Sequence, residues 1–239
     1  VQELAPGLWR WTARHPEWHP GEFGARVGSY AVHDREGTIL VDPLVAGDEA
    51  AILDALDDLV RGHLRIVITI PYHVRSAELL WRRYHQRREA GIWGHRLAAR
   101  RLAAGTAFRA VEPGDVLPGG IRAHGIGFPR PRAEQPLELP SHRALALGDA
   151  IVEVGGELRV WQATPDTDRK RAWYAERLLP TFRPLAELDV DRVLVTHGEP
   201  VLSGGRAALA RAFERPPWNR ALAARERRAA AGPSSAASP

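Results

Sequence analysis

A histidine at the end of a short apolar run is the first place where this chain could do chemistry. Residues 66–75 read I-V-I-T-I-P-Y-H-V-R and lead into Ser76-Ala77-Glu78-Leu79-Leu80. The β-branched opening predicts a buried strand. Pro71 ends it, and Ser76 stands where it could cap an amphipathic helix. A strand that stops and offers His73 on a loop before a helix is where α/β enzymes place reactive groups. The chain has no cysteine, which removes disulfides, thiolate metal sites and cysteine nucleophiles together. Any metal would need His, Asp or Glu.

The elements that must position this loop can be read on either side of it. Strands are expected at 7–12, 26–33 and 38–42, the last closed by Asp42-Pro43. Ile52, Leu53, Leu56 and Leu59 have helical spacing, with Gly62 as the stop. A helix over 76–88 follows the histidine loop, then a short strand at 91–95, a helix over 95–104, and strands at 107–111 and 121–126. From Pro136 the β style returns at 137–139, 144–147, 151–154 and 158–161, the last two flanking Gly155-Gly156 as a hairpin turn. A helix over 170–179, a strand at 192–196 ending in His197-Gly198-Glu199-Pro200, and a helix over 203–213 complete the pattern. Residues 1–218 are read as one domain and 219–239 as a partly disordered tail.

Composition sets broad bounds. A chain of 239 residues with 44% hydrophobic and 26% charged residues can bury a substantial core. No run approaches the length of a membrane span, and the first residues have neither a basic nor an apolar leader pattern, so a soluble cytoplasmic protein is expected. The net charge of +4 is modest, and Lys170 is the only lysine. That arginine bias reads as composition rather than as nucleic-acid binding.

Two β-rich halves, each followed by helices, suggest sheets covered by helices. Four motifs recur in order: T-I-L-V-D-P at 38–43, I-V-I-T-I-P-Y-H at 66–73, A-L-A-L-G-D-A at 144–150 and V-L-V-T-H-G at 193–198. Over about residues 7–213 the chain resembles the metallo-β-lactamase superfamily, which implies an α/β fold, the αββα four-layer sandwich. In that family the hinge loop carries His-x-His-x-Asp-His. A further His, the Asp of Gly-Asp and a last His complete a centre of two zinc or iron ions that activates hydroxide. This chain departs at most of those positions. Anchored on Thr69, the ligand positions hold Ile70, Tyr72, Val74 and Arg75; anchored on the helix start, they hold Ile68, Ile70, Tyr72 and His73. Upstream of Gly148-Asp149 stand Arg130, Arg132 and Glu134 in place of the mid-chain histidine. Asp149 and His197 match in either register.

Two readings of His73, Asp149 and His197 follow from the resemblance. They are three ligands of one metal position, able to hold zinc with an open site, or a relic in which Asp149 and His197 hydrogen-bond the loops. Arg75 and Arg130 have two readings as well. They supply the counter-charge that a buried Asp149 would otherwise lack, pairing with Asp149 or Glu134, or they bind an anionic ligand. Asp42 matches the family's loop-orienting strand-end Asp. His15, Trp18 and His19 lie on a loop that overhangs the site in this architecture. The arginine-aromatic stretch from Trp81 to Arg101 reads as a solvated face, with Leu79, Leu80 and Tyr84 inward, and nucleic acid as the minor alternative.

The functional expectation is a divergent member with most metal ligands lost, non-catalytic or binding a small, anionic ligand. Arg75, Arg130, Glu134, Tyr72 and Asp42 would serve as binding or charge-compensating groups. The enzyme alternative is a single-metal hydrolase on His73, Asp149 and His197. No tightly bound cofactor is expected on the first reading, and one zinc ion on the second. Substrate, partner and oligomeric state are not legible in the sequence.

Overall fold

Side-chain alternation along the strands sorts this chain into layers. The computed structural model describes residues 1–18, 23–127, 133–161 and 167–218. Strands β1 (Gln2–Ala5), β2 (Leu8–Arg14), β3 (Arg26–His33) and β4 (Gly37–Val41) form an antiparallel meander. Strands β5 (His63–Ile68), β6 (Ala90–Gly94) and β7 (Phe108–Ala110) extend it in parallel, giving seven strands in chain order. Helices α1 (Glu49–Leu59) and α2 (Ala77–Tyr84) lie in the crossovers β4–β5 and β5–β6.

The second sheet holds β8 (Val116–Leu117), β9 (Ile121–Ala123), β10 (Leu137–Leu139), β11 (Ala144–Leu147) and, parallel to β11, β14 (Arg192–Val195). The hairpin β12 (Ile151–Val154) and β13 (Glu157–Val160) stands beside it. Helices α3 (Asp168–Trp173), α4 (Leu179–Phe182) and α5 (Gly205–Glu214) follow.

Alternate residues of each strand go to opposite cores. Ile39, Val41 and Val67 of the first sheet meet Leu137, Leu139, Ala144, Ala146 and Leu194 of the second. Their neighbours Leu40, Ile66 and Ile68 face the other way, onto Ile52 and Leu56 of α1 and Ala77, Leu80 and Tyr84 of α2. Leu145, Leu147, Val193 and Val195 pack outward against Phe182 of α4 and Leu209 and Phe213 of α5. The order is helix, sheet, sheet, helix, the αββα sandwich. Among the described residues no helix is long and apolar enough to cross a membrane.

Several element boundaries depart from the sequence reading. The hinge strand starts at His63, because Arg65 is accommodated in it. Its guanidinium is 2% exposed and bonds Asp34 and Glu36 in the β3–β4 turn. The helix after the histidine loop ends at Tyr84, and the helix expected over 95–104 is a 3-10 segment, Arg96–Arg101. The tail 219–239 lies outside the described residues.

The C-terminal ends of β4, β5, β11 and β14 lead into Asp42, the His73 loop, Asp149 and His197, and these converge at one edge of the sandwich. The strand delivering the His73 loop therefore depends on Arg65 staying neutralised. Replacing Arg65 by Met should destabilise the protein by about 3–5 kcal/mol, because Asp34 is left buried without its counter-charge. Urea unfolding checks this, and an unchanged midpoint would contradict it.

Candidate functional site

Asp42 is the fixed point of the site. It follows β4 with φ 45, in the left-handed region that non-glycine residues rarely occupy. The backbone turn aims its carboxylate back at the end of β5. There Asp42 Oδ1 accepts the Thr69 N–H at 2.9 Å, and Oδ2 accepts the Thr69 hydroxyl and lies 2.9 Å from His73 Nδ1. These contacts offset a backbone strain of roughly 1–3 kcal/mol. Pro71 starts a 3-10 turn, Pro71–Val74, closed by the His73 N–H donating to Ile70 O at 2.8 Å, and this turn swings His73 inward. Ser76 precedes α2, yet its hydroxyl does not cap the helix; it accepts the Val45 N–H instead, tying the two loops together.

Glu134 builds the opposite wall. Its buried carboxylate accepts N–H bonds from Gly148, Asp149 and Ala150 at 2.9, 3.1 and 2.9 Å. Three bonds from consecutive amides hold the turn after β11 in one conformation. Gly148 is required by space, since a Cβ there would sit 2.8 Å from Thr69 Oγ1. Asp149 Oδ1 is thereby placed 3.3 Å from His73 Nε2 and 3.4 Å from His197 Nε2.

His197, just beyond β14, is held through its backbone carbonyl by the Glu153 N–H at 2.9 Å. Its ring stacks on Phe23, with centroids 4.9 Å apart, and Phe23 stacks in turn on Trp218 at 5.0 Å. Trp218 is docked by its backbone N–H donating to Val160 O, so the segment after α5 backs the site wall.

Arg75 completes the floor. It too has a positive φ, 42, and its Nη1 donates to Asp42 O at 2.9 Å. The direct ion pair expected from Arg75 to Asp149 or Glu134 is not made. Asp149 is flanked by the two histidines, and Arg75 acts on it at longer range. Arg130 and His19 lie outside the described residues. Tyr72 is 55% exposed and carries Arg101, whose guanidinium lies 4.9 Å from its ring centroid.

These groups open onto a cavity of about 310 Å³, with Trp18, Phe23 and Trp161 on its walls. Arg75 Nε, Asp149 Oδ1 and His197 Nδ1 are buried there without a hydrogen-bond partner.

On the floor Asp42 and Asp149 face His73 and Arg75, while the Glu134 carboxylate behind them is held by backbone N–H groups. Thr69 and His73 Nδ1 both point at Asp42, so Nδ1 carries a proton. If Nε2 were a bare lone pair it would repel Asp149 Oδ1; with a proton, the contact becomes attractive. Burial and the nearby Arg75 guanidinium oppose that proton, but Asp149 and Asp42 outweigh them and hold the His73 pKa above its ordinary value. Burial likewise opposes charge on Asp149, and His73 and His197 overcome it, keeping its pKa well below the usual carboxylate range. Burial lowers the Arg75 pKa, opposed by Asp42 and Asp149.

A two-metal centre does not fit this donor set. Ile70 and Val74 are buried and apolar, Tyr72 points outward and Arg75 is a cation. Among the described residues no group of three or more His, Cys, Asp or Glu side chains is placed to hold a metal ion.

No family model matches the chain, and no curated protein matches it. Solved structures do. A metallo-β-lactamase from Pontibacter korlensis superposes with a TM-score of 0.61 at 15% identity, covering 90% of this chain and 98% of that one. The metallo-β-lactamase FIM-1 from Pseudomonas aeruginosa, in a mono-zinc form, gives 0.57 at 15% identity, covering 89% and 93%. The peroxy diiron species of the chemotaxis sensor ODP gives 0.56 at 14% identity, covering 83% and 90%. The chain has the metallo-β-lactamase fold.

The sequence marks none of Arg101, Phe23, Trp161 and Trp218 as a site residue, because each reaches the cavity or its wall through a contact distant in the chain.

The raised His73 pKa sets a direction with pH. A group whose folded pKa is raised stabilises fully below its unfolded value, about 6.5, and loses that contribution as pH rises through the folded value. The melting temperature of the native protein should therefore exceed that of His73→Gln by more at pH 6 than at pH 9. A gap that instead widens at high pH would contradict an imidazolium and fit a metal-bound neutral ring.

Proposed function

We propose that the chain is a small-ligand-binding protein of the metallo-β-lactamase fold, whose cleft floor is neutralised by a guanidinium and a proton rather than by two metal ions. The observation that carries this reading is the charge balance. Asp42 and Asp149 stand against Arg75 and His73, with Asp42 and Asp149 each within 3.3 Å of a ring nitrogen of His73. A buried carboxylate without such compensation would cost several kcal/mol. Here the cost is offset by residues of the chain itself, and the fold no longer needs a metal to stand. The cavity above the floor has the size of a small-molecule site, with aromatic walls and several ionisable side chains on its lining.

A second reading is favoured by one measurement. Donors bonded tetrahedrally to zinc at about 2.0–2.1 Å lie roughly 3.3–3.4 Å from one another, and the separations of Asp149 Oδ1 from His73 Nε2 and His197 Nε2 are 3.3 and 3.4 Å. On this reading His73, Asp149 and His197 hold one ion, which would supply a Lewis acid and an activated water. Asp42 would orient His73 through Nδ1. The positive Arg75 beside that position weighs against it.

Elemental analysis after expression in metal-supplemented medium separates the two readings. The ligand-binding reading expects well under one equivalent of transition metal per chain after dialysis. One equivalent that disappears in His197→Ala would favour the single-metal hydrolase. Two equivalents would overturn both.

A further inference from the structure

We infer that the cleft takes a flat aromatic carboxylate, anchored at its mouth by Arg101; this rests on the ligand-binding reading above and adds the chemistry of the ligand.

Arg101 closes the 3-10 segment Arg96–Arg101 and lines the same cavity as Arg75, Asp149 and His197. Two other arginines of the stretch are neutralised, Arg82 by Glu78 and Arg83 by Asp57. Among the described residues no carboxylate pairs with Arg101, nor with Arg87, Arg88, Arg96 or Arg100; Arg101 differs from these in lining the cavity. Its guanidinium lies over the Tyr72 ring, and carrying it gives an exposed tyrosine a structural role. Stacking fixes the plane of a guanidinium while leaving its edge donors free, which suits a planar two-oxygen acceptor better than a point charge.

Arg75 lines the same cavity, but its Nη1 is bonded to Asp42 O and its charge is set against Asp42 and Asp149. No acidic group of the lining pairs with Arg101. Asp149 is engaged by His73 and His197. Glu17 is exposed at the rim. Arg101 is the cation of the lining left without a partner, and an anion would match it.

The body of the ligand is set by the walls. Trp18 is held by its indole N–H donating to Phe23 O and by Arg14 over its ring. Phe23 is itself packed against Trp161, His197 and Trp218. Walls of aromatic rings fixed by one another favour a flat partner, which fits between them without forcing them to rearrange. A cavity of about 310 Å³ is at the small end of ligand sites and suits one or two fused rings.

The test is calorimetric titration of the full chain with naphthoate, with the neutral isostere naphthamide and with inorganic phosphate. Naphthoate should bind about tenfold or more tightly than naphthamide, and phosphate more weakly than naphthoate. Arg101→Gln, at an exposed position that should leave the melting temperature unchanged, should bring naphthoate and naphthamide within about twofold of each other. Arg101→Lys should restore part of the preference. Equal binding of the acid and the amide, or a preference that survives Arg101→Gln, would overturn the anion anchor while leaving a ligand-binding cleft in place. Phosphate binding as tightly as naphthoate would overturn the aromatic part. No binding by either naphthalene compound would overturn the inference whole, and two bound metals per chain would remove the reading beneath it.

Discussion

The bond that the site depends on runs from Asp42 to the end of β5. One carboxylate takes the Thr69 N–H, the Thr69 hydroxyl and the His73 ring, and so joins the loops after β4 and β5. It does so from a backbone conformation that disfavours an aspartate. Asp42 φ is stabilised only because three donors meet it there. Without that geometry His73 would have no reason to turn inward beside Asp149, and Arg75, three residues after Tyr72, would not lie under the carbonyl of Asp42.

On the proposed reading, the rest of the floor follows from this constraint as charge compensation. A carboxylate such as Asp149, taken out of water, must be ionised beside a cation or protonated. The chain meets the first condition twice, with an imidazole placed by Asp42 and with a guanidinium placed by main-chain carbonyls. Glu134 stabilises the turn that presents Asp149 without adding to the problem, because three backbone N–H groups converge on its carboxylate. The same arrangement leaves the mouth of the cleft free to be shaped by aromatic residues and by Arg101.

Much of the fold was legible because strand alternation is local. The inward set Ile39, Val41 and Val67 and the outward set Leu40, Ile66 and Ile68 can be read from 38–42 and 66–68 alone. The start of β5 was not legible, because an arginine in a strand reads as exposed until Asp34 and Glu36 are known to meet it. The register around His73 stayed open in the sequence for a similar reason. A 3-10 turn between strand and helix changes the residue count, and only the contact with Asp149 shows that His73 is the ring on the floor. The sequence suggests that Arg75 or Arg130 pairs directly with Asp149 or Glu134; Arg75 instead bonds a carbonyl and acts on Asp149 across the floor. The Phe23–His197 and Phe23–Trp218 stacks join residues far apart in the chain, and no local pattern marks such pairs.

The central claim is that a proton on His73 Nε2 stands where a metal-free floor needs positive charge. Nitrogen-15 NMR of the histidine rings, at neutral pH and with and without a chelator, reads this directly. The account predicts that His73 carries protons on both Nδ1 and Nε2 and that its signals do not move when the chelator is added. An Nε2 without a proton, with shifts that change on chelation, would contradict it.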